Sequence, residues 1–221
     1  MAETTTEPTR APKQMSAGKR AYLISYNALS ALLWSVVFGR VVAMLLLRGP
    51  QLVYPVVGEW TKWTQTLAAL EIVHSLLGVV RAPIMTTAMQ VASRFALVWG
   101  AVTFYPSVAG SPAYSTMLLA WSSTEVIRYL YFALTLAGSS PRLLFWLRYN
   151  TFFVLYPVGI TSELAELWLA MLEARQDGDT FVVWAIVATF VIYAPGIPIL
   201  YGHMMKQRRK MMGLQSGRKN Q

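Results

Sequence analysis

The chain has 221 residues, 55% of them hydrophobic and only 13% charged, against about 25% charged in a typical soluble domain. So few charges cannot clothe a water-facing surface, which excludes a conventional soluble enzyme and a disordered chain and predicts an outer surface that faces lipid. Cysteine is absent and there are two histidines, His74 and His203, which excludes disulfides, thiolate nucleophiles, cysteine metal sites and a multi-histidine metal centre.

The net charge of +9 is unevenly placed: residues 1–20 carry +2 and residues 206–221 carry +6, leaving +1 for the stretch between. A nucleic-acid binder spreads basic residues over a folded face. Here they sit on two tails flanking apolar segments, which points to membrane topology and to no nucleic-acid partner.

In chain order, residues 1–20 are polar and rich in Thr and Pro, lack the apolar run of a signal peptide and are expected to be a disordered tail. Six apolar stretches follow, at 22–47, 64–80, 84–105, 113–137, 143–172 and 180–205. A spanning helix needs about 20 residues, so 21–205 is expected to be an all-α, polytopic membrane domain of six transmembrane helices. Pro157 in the fifth stretch and Pro195 and Pro198 in the sixth predict kinks or breaks. Turn formers mark the linkers, as in Gly110-Ser111-Pro112 and Gly138-Ser139-Ser140-Pro141. Residues 206–221 form a basic tail whose first part extends the last helix. Two basic tails place both termini in the cytosol, which requires an even number of spans. The final Arg218-Lys219-Asn220-Gln221 resembles a dilysine-type retrieval signal of the endoplasmic reticulum.

Ionisable groups inside a membrane helix cost at least about 2.5–3.5 kcal/mol each and persist only when paired or facing a cavity. This chain has Arg40, Glu71, Arg94, Glu125, Arg128, Arg148, Glu163 and Glu166 within its apolar stretches. Such a set reads either as interhelical ion pairs that fix packing or as a polar interior site.

The fifth stretch is the most informative. Tyr156 and Glu163 are seven residues apart, about two helical turns, so they share one face roughly 10 Å apart along the axis. Pro157 removes a backbone donor between them and Gly159 removes a side chain. A neutral phenol and a carboxylate offer one acid and one base on a single element; an interfacial tyrosine beside an ion-paired glutamate has the same spacing. In the fourth stretch, Glu125 and Arg128 can pair at i, i+3, or Arg128 can face a substrate. Gln90 and Arg94 share a face of the third. Glu71-Ile72-Val73-His74 has the Glu-x-x-His spacing of bundle metal sites, but no second such unit is present. His74 is therefore expected to be a hydrogen-bonded core residue, with no metal.

Three ordered blocks carry a resemblance: Leu70-Glu71-Ile72-Val73-His74-Ser75-Leu76-Leu77-Gly78-Val79-Val80-Arg81, Trp121-Ser122-Ser123-Thr124-Glu125-Val126-Ile127-Arg128-Tyr129, and Trp146-Leu147-Arg148-Tyr149 through Tyr156-Pro157-Val158-Gly159-Ile160-Thr161-Ser162-Glu163. They resemble the very-long-chain 3-hydroxyacyl-CoA dehydratases, membrane enzymes of fatty-acid elongation in the endoplasmic reticulum once labelled protein-tyrosine-phosphatase-like, over about residues 20–210. A cysteine-dependent phosphatase is excluded, because the chain has no cysteine.

The resemblance implies six membrane helices with cytosolic termini, catalytic residues at Tyr156 and Glu163, and supporting positions at Glu71, Gln90, Arg94, Glu125, Arg128, Arg148 and Gly159. The implied reaction dehydrates a (3R)-3-hydroxyacyl-CoA to a trans-2-enoyl-CoA with no metal or redox cofactor; coenzyme A is part of the substrate. Glu163 is expected to take the Cα proton and Tyr156 to protonate the leaving hydroxyl, with the reverse assignment open. Arg128, Arg148 or backbone donors near Pro157 are expected to stabilise charge on the thioester carbonyl. The CoA phosphates are expected at Arg81, Arg142 and the 206–210 segment, with the acyl chain running between the helices to the lumenal side. Membrane lipid and other elongation enzymes are the expected partners. A channel or transporter, and a non-catalytic scaffold of the elongation complex, are the alternatives.

Overall fold

The computed structural model describes residues 15–80, 82–139 and 141–219, with the backbone alone for 214–219. Arg81, the first fourteen residues and the end of the retrieval-like tail lie outside the described residues. The described chain is helical throughout, with no strand.

Helix α1 (Ala17–Leu47) starts at Ser16, whose hydroxyl accepts from the Lys19 amide, so residues 17–20 are helical and not part of a disordered tail. After a short 3-10 turn, α2 (Val53–Thr66) and α3 (Ala69–Leu76) follow as one interrupted segment, broken at Leu67 and Ala68. Helix α4 (Ile84–Phe95) passes through a π-helical turn (Ala96–Ala101) into the single turn of α5 (Val102–Phe104). Helix α6 (Pro112–Leu136) has Ser111 as its N-cap and Pro112 in its first turn. Helices α7 (Arg142–Asn150) and α8 (Phe152–Gln176) are separated at Thr151, and α9 runs Thr180–Lys219. Gly138 and Gly178, with φ of 96° and 76°, close the turns after α6 and α8 in the left-handed region that suits glycine.

Helices α8 and α9 run unbroken through Pro157, Pro195 and Pro198. The fifth apolar stretch breaks instead at Thr151, six residues before Pro157. Pro157 and Pro195 sit on exposed faces of their helices, where the ring meets no packed neighbour and one missing N–H is tolerated.

Three helices are long and apolar enough to cross a membrane: Ala17–Leu47, Phe152–Gln176 and Thr180–Gly213. The other apolar stretches fall short for visible reasons. The second, 64–80, is broken at Leu67 and Ala68 and leaves α3 only eight residues long, the third changes to π-helix, and α6 carries Glu125, Arg128 and several hydroxyl residues. The outer surface is nonetheless apolar, with side chains such as Leu46 (80% exposed) and Phe181 (82%) turned outward, as a lipid-facing surface requires.

Helix α6 is the central element, packed along α1 on one side and α8 on the other. The core runs from Trp34, Val37 and Val41 through Tyr114, Met117 and Leu118 to Leu167 and Ala170. Small residues bring α6 and α8 close. A Cβ on Gly159 would lie 3.6 Å from the Ala120 Cβ, and the Thr116 and Ser162 hydroxyls are hydrogen-bonded at 2.7 Å.

The basic segments converge at one end. Lys19 donates to the Gly78 carbonyl, Arg20 to the Leu136 carbonyl at 2.6 Å, and Arg208 to Asn150. At the opposite end the 105–111 turn is held to α8, Ser107 donating to Glu173 at 2.5 Å and Ser111 to Glu166.

Candidate active site

A cavity of about 410 Å³ lies between α4, α6, α8 and α9. Its lining includes Gln90 and Arg94 from α4, Trp121 from α6, Tyr156, Gly159 and Glu163 from α8, and Tyr193 from α9. The two-turn spacing of Tyr156 and Glu163 thus turns both side chains to one void. Gly159, one turn from each, leaves room between them.

Glu163 is 8% exposed. Its Oε1 accepts from Trp121 Nε1 at 2.7 Å and its Oε2 from the Tyr193 hydroxyl at 2.7 Å. Both donors are neutral, so the carboxylate is aimed by two hydrogen bonds rather than neutralised by a cation. The half-buried Tyr156 donates its phenolic proton to the Ile197 carbonyl at 3.0 Å; a backbone carbonyl only accepts, so the phenol stands as a proton donor. Arg94 is the cationic residue among the lining side chains. Its guanidinium pairs with Glu125 Oε1 at 2.5 Å and lies over the Trp121 ring, 4.8 Å from the centroid.

Behind this wall the remaining charges form a second cluster. Arg128 donates through Nε to Glu125 at 2.8 Å and through its two terminal nitrogens to Glu71 at 2.9 and 2.7 Å, while the Tyr129 hydroxyl also donates to Glu71. All three Arg128 nitrogens are engaged and Arg128 does not line the cavity, so it is not placed to stabilise a thioester there. Arg148 does not line it either; its guanidinium packs over Phe132 at 4.3 Å and Tyr131 at 5.1 Å. Glu71, Glu125 and Arg128 join α3 to α6 and back the cavity through Arg94. Arg142 is exposed at the start of α7. His74 is a buried core residue whose Nε2 is hydrogen-bonded to the Tyr22 hydroxyl at 2.7 Å, as expected.

Two residues that hold Glu163 were not singled out from the sequence. Trp121 lies one helical turn before Glu125, a spacing that puts it on the polar face of α6. Tyr193 lies in an apolar run, where a tyrosine reads as an interfacial anchor. The available signal was the Thr189, Tyr193, Gly196 spacing, which sets three small or polar residues on one face of an otherwise apolar helix.

A family model described as protein tyrosine phosphatase-like protein, PTPLA, matches residues 65–214. The chain is 40% identical over 196 residues to a fission-yeast (Schizosaccharomyces pombe) protein named as a probable very-long-chain (3R)-3-hydroxyacyl-CoA dehydratase, covering 87% of this chain and 93% of that protein. It is 39% identical to a very-long-chain (3R)-3-hydroxyacyl-CoA dehydratase of Caenorhabditis elegans (88% and 95% covered), and 33% identical to the human very-long-chain (3R)-3-hydroxyacyl-CoA dehydratase 2 (87% and 81%). No solved structure matches at a significant level. With most of its length covered by the family model and by these relatives, the chain belongs to the protein-tyrosine-phosphatase-like PTPLA family.

Proposed function

We propose that the chain is a hydro-lyase that converts very-long-chain (3R)-3-hydroxyacyl-CoA to trans-2-enoyl-CoA in fatty-acid elongation at the endoplasmic reticulum membrane. The observation that carries this reading is the pairing of a phenol that donates, Tyr156, with a carboxylate that accepts, Glu163, in one cavity. The names of the relatives supply the substrate class.

Glu163 takes the Cα proton. The electron pair of that C–H bond forms the Cα–Cβ double bond as the Cβ–O bond breaks, and Tyr156 gives its proton to the departing hydroxyl, which leaves as water. A proton passed from Glu163 back to Tyr156 resets the pair, so the reaction is redox-neutral and needs no cofactor. Charge that develops on the thioester oxygen is met by Arg94 and Gln90, the cation and the amide in the lining.

In this reading α1, α2 with α3, α4 with α5, α6, α7 with α8, and α9 serve as six spans around a polar interior, with both termini in the cytosol. Convergence of the basic segments at one end supports that orientation. Coenzyme A is polyanionic and stays in water, so its phosphates meet Arg142 and the basic 206–210 segment at that end. Other elongation enzymes are partners in this reading.

The test is dehydration of 3-hydroxyacyl-CoA by the purified chain in lipid vesicles, with Tyr156→Phe and Glu163→Gln measured singly. Each substitution is expected to lower kcat by about 10²–10⁴-fold with KM little changed. Near-normal turnover in either variant removes that residue from the chemistry.

A further inference from the structure

We propose that the acyl tail of the substrate leaves the cavity sideways, through an apolar slot between α4 and α9, and lies in the surrounding lipid. The protein then encloses only the thioester and the first carbons of the chain. This rests on the dehydratase reading and specifies how that site takes its substrate.

Three observations lead here. The cavity volume of about 410 Å³ is near the low end of the roughly 300–1,000 Å³ that accommodates a drug-sized ligand. A very long acyl chain together with its thioester does not fit. The way forward, toward the opposite end of the bundle, is closed. On α6 the lining stops at Ala120, and Met117 and Leu118 beyond it are 0% exposed in the packed core; on α8 it stops at Glu163, with Leu167 and Ala170 buried beyond. The expected path between the helices to the far side is therefore filled by side chains.

The flank between α4 and α9 is different. Helix α9 packs chiefly on α8 and has no substantial packing on α4. The exposed residues of the lining all lie on these two sides: Met89 (38%), Gln90, Ala92 and Ala96 on the α4 segment and Ile192 (59%) on α9. A lining side chain that is also exposed on the outer surface marks an opening in the wall. Four of these five are apolar and two are alanines, so the frame accepts methylenes, with the Gln90 amide as its polar member. A tail emerging here passes directly into hydrocarbon, where methylenes carry no hydration penalty.

The absence of cysteine in the chain makes the slot testable by a reversible staple. Ala92→Cys with Ile192→Cys supplies two thiols, joined by a short bifunctional reagent whose bridge contains a disulfide. Full-length protein in vesicles is assayed with six-carbon and twenty-four-carbon 3-hydroxyacyl-CoA before stapling, after stapling and after reduction. Stapling is expected to lower kcat/KM for the long substrate about tenfold or more and for the short one by less than about twofold, with reduction restoring the first value. Ala96→Trp, which narrows the same slot from α4 alone, is expected to produce the same split. Equal loss for both substrates, or loss for neither in both the stapled and the tryptophan variant, overturns the slot. So does a wild-type chain that turns over the long substrate and not the short one, because it would then grip the tail. A wild-type chain inactive on both substrates overturns the dehydratase reading itself, and the unstapled wild-type assay separates that outcome from the others.

Discussion

Trp121 and Glu163 meet across the contact of α6 with α8, the indole Nε1 donating to the carboxylate Oε1 at 2.7 Å. The other carboxylate oxygen is held at the same distance by Tyr193 of α9. Three helices thus fix the direction of one acidic side chain, and the same indole carries the Arg94 guanidinium on its face. The aim of the proposed base depends on helix packing and not on Glu163 alone.

Trp121→Phe and Tyr193→Phe each remove one donor while keeping most of the ring. A hydrogen bond to a charged group contributes about 1.5–3 kcal/mol, so each substitution is expected to lower kcat by roughly 10–100-fold. KM should hold, because neither donor is assigned to the substrate. Steady-state kinetics with both variants and the double variant check this. A rise in KM with kcat intact would show that these residues bind substrate instead of positioning Glu163.

How much of this was legible in the sequence follows from what each residue does to hydropathy. The stretches at 22–47 and 113–137 correspond closely to α1 and α6 because they are continuous and apolar, and 180–205 starts with α9, which runs on through the basic segment to Lys219. Helix α2 was not visible before residue 64. Beside Val53 and Val57, its buried face includes Thr61, Thr64 and Gln65, each no more than 5% exposed, and polar residues turned inward lower the average that a hydropathy window reads. Seven-residue spacing was enough to put Tyr156 and Glu163 on one face. It was not enough to sort the arginines: Arg94 lies one turn from Gln90 on α4 and Arg128 one turn from Glu125 on α6, and only tertiary contact shows that Arg128 is consumed by Glu71 and Glu125 while Arg94 reaches the cavity wall.

The cluster behind the cavity predicts a stability contrast. Glu125 is 4% exposed and faces both Arg94 and Arg128 at 2.5 Å. Glu125→Ala leaves the partly buried Arg94 guanidinium without its carboxylate and Arg128 with Glu71 alone, and is expected to cost about 3–5 kcal/mol. Glu59→Ala removes an ion pair with Lys62 whose carboxylate side chain is 72% exposed, and is expected to cost less than about 1 kcal/mol. Thermal unfolding of both variants in the same detergent measures the difference. Equal shifts in Tm would show that the buried network contributes no more than a surface pair.

The basic end makes a prediction about coenzyme A. Arg208 lies one helical turn beyond Met204, which lines the cavity, and donates to Asn150 Oδ1 through Nε at 3.2 Å and a terminal nitrogen at 3.0 Å. Asn150 is two residues before Phe152, another lining residue, so the pair fixes a guanidinium at the basic end of the cavity. Arg208→Ala is expected to raise KM for a 3-hydroxyacyl-CoA about tenfold and to weaken the dependence of KM on salt. KM for the matching pantetheine thioester, which lacks the phosphates of coenzyme A, should not change. An equal rise with both substrates would assign Arg208 to helix packing.

Gly159 gives the sharpest separation of stability from turnover. It is buried in the middle of α8, where glycine is less stable than alanine by roughly 0.5–1 kcal/mol. The lattice of neighbours does not demand it: an added Cβ would meet the Ala120 Cβ at 3.6 Å, an ordinary contact. What glycine supplies is space, since the residue lines the cavity between Tyr156 and Glu163. Gly159→Ala is therefore expected to keep or raise Tm while lowering kcat/KM, and Gly159→Val, with two more methyl groups aimed into the same void, to lower it much further. Thermal unfolding and dehydration measured on the same preparations decide the point. If Gly159→Ala lowered Tm and left turnover unchanged, the residue would serve the α6–α8 contact and not the reacting substrate.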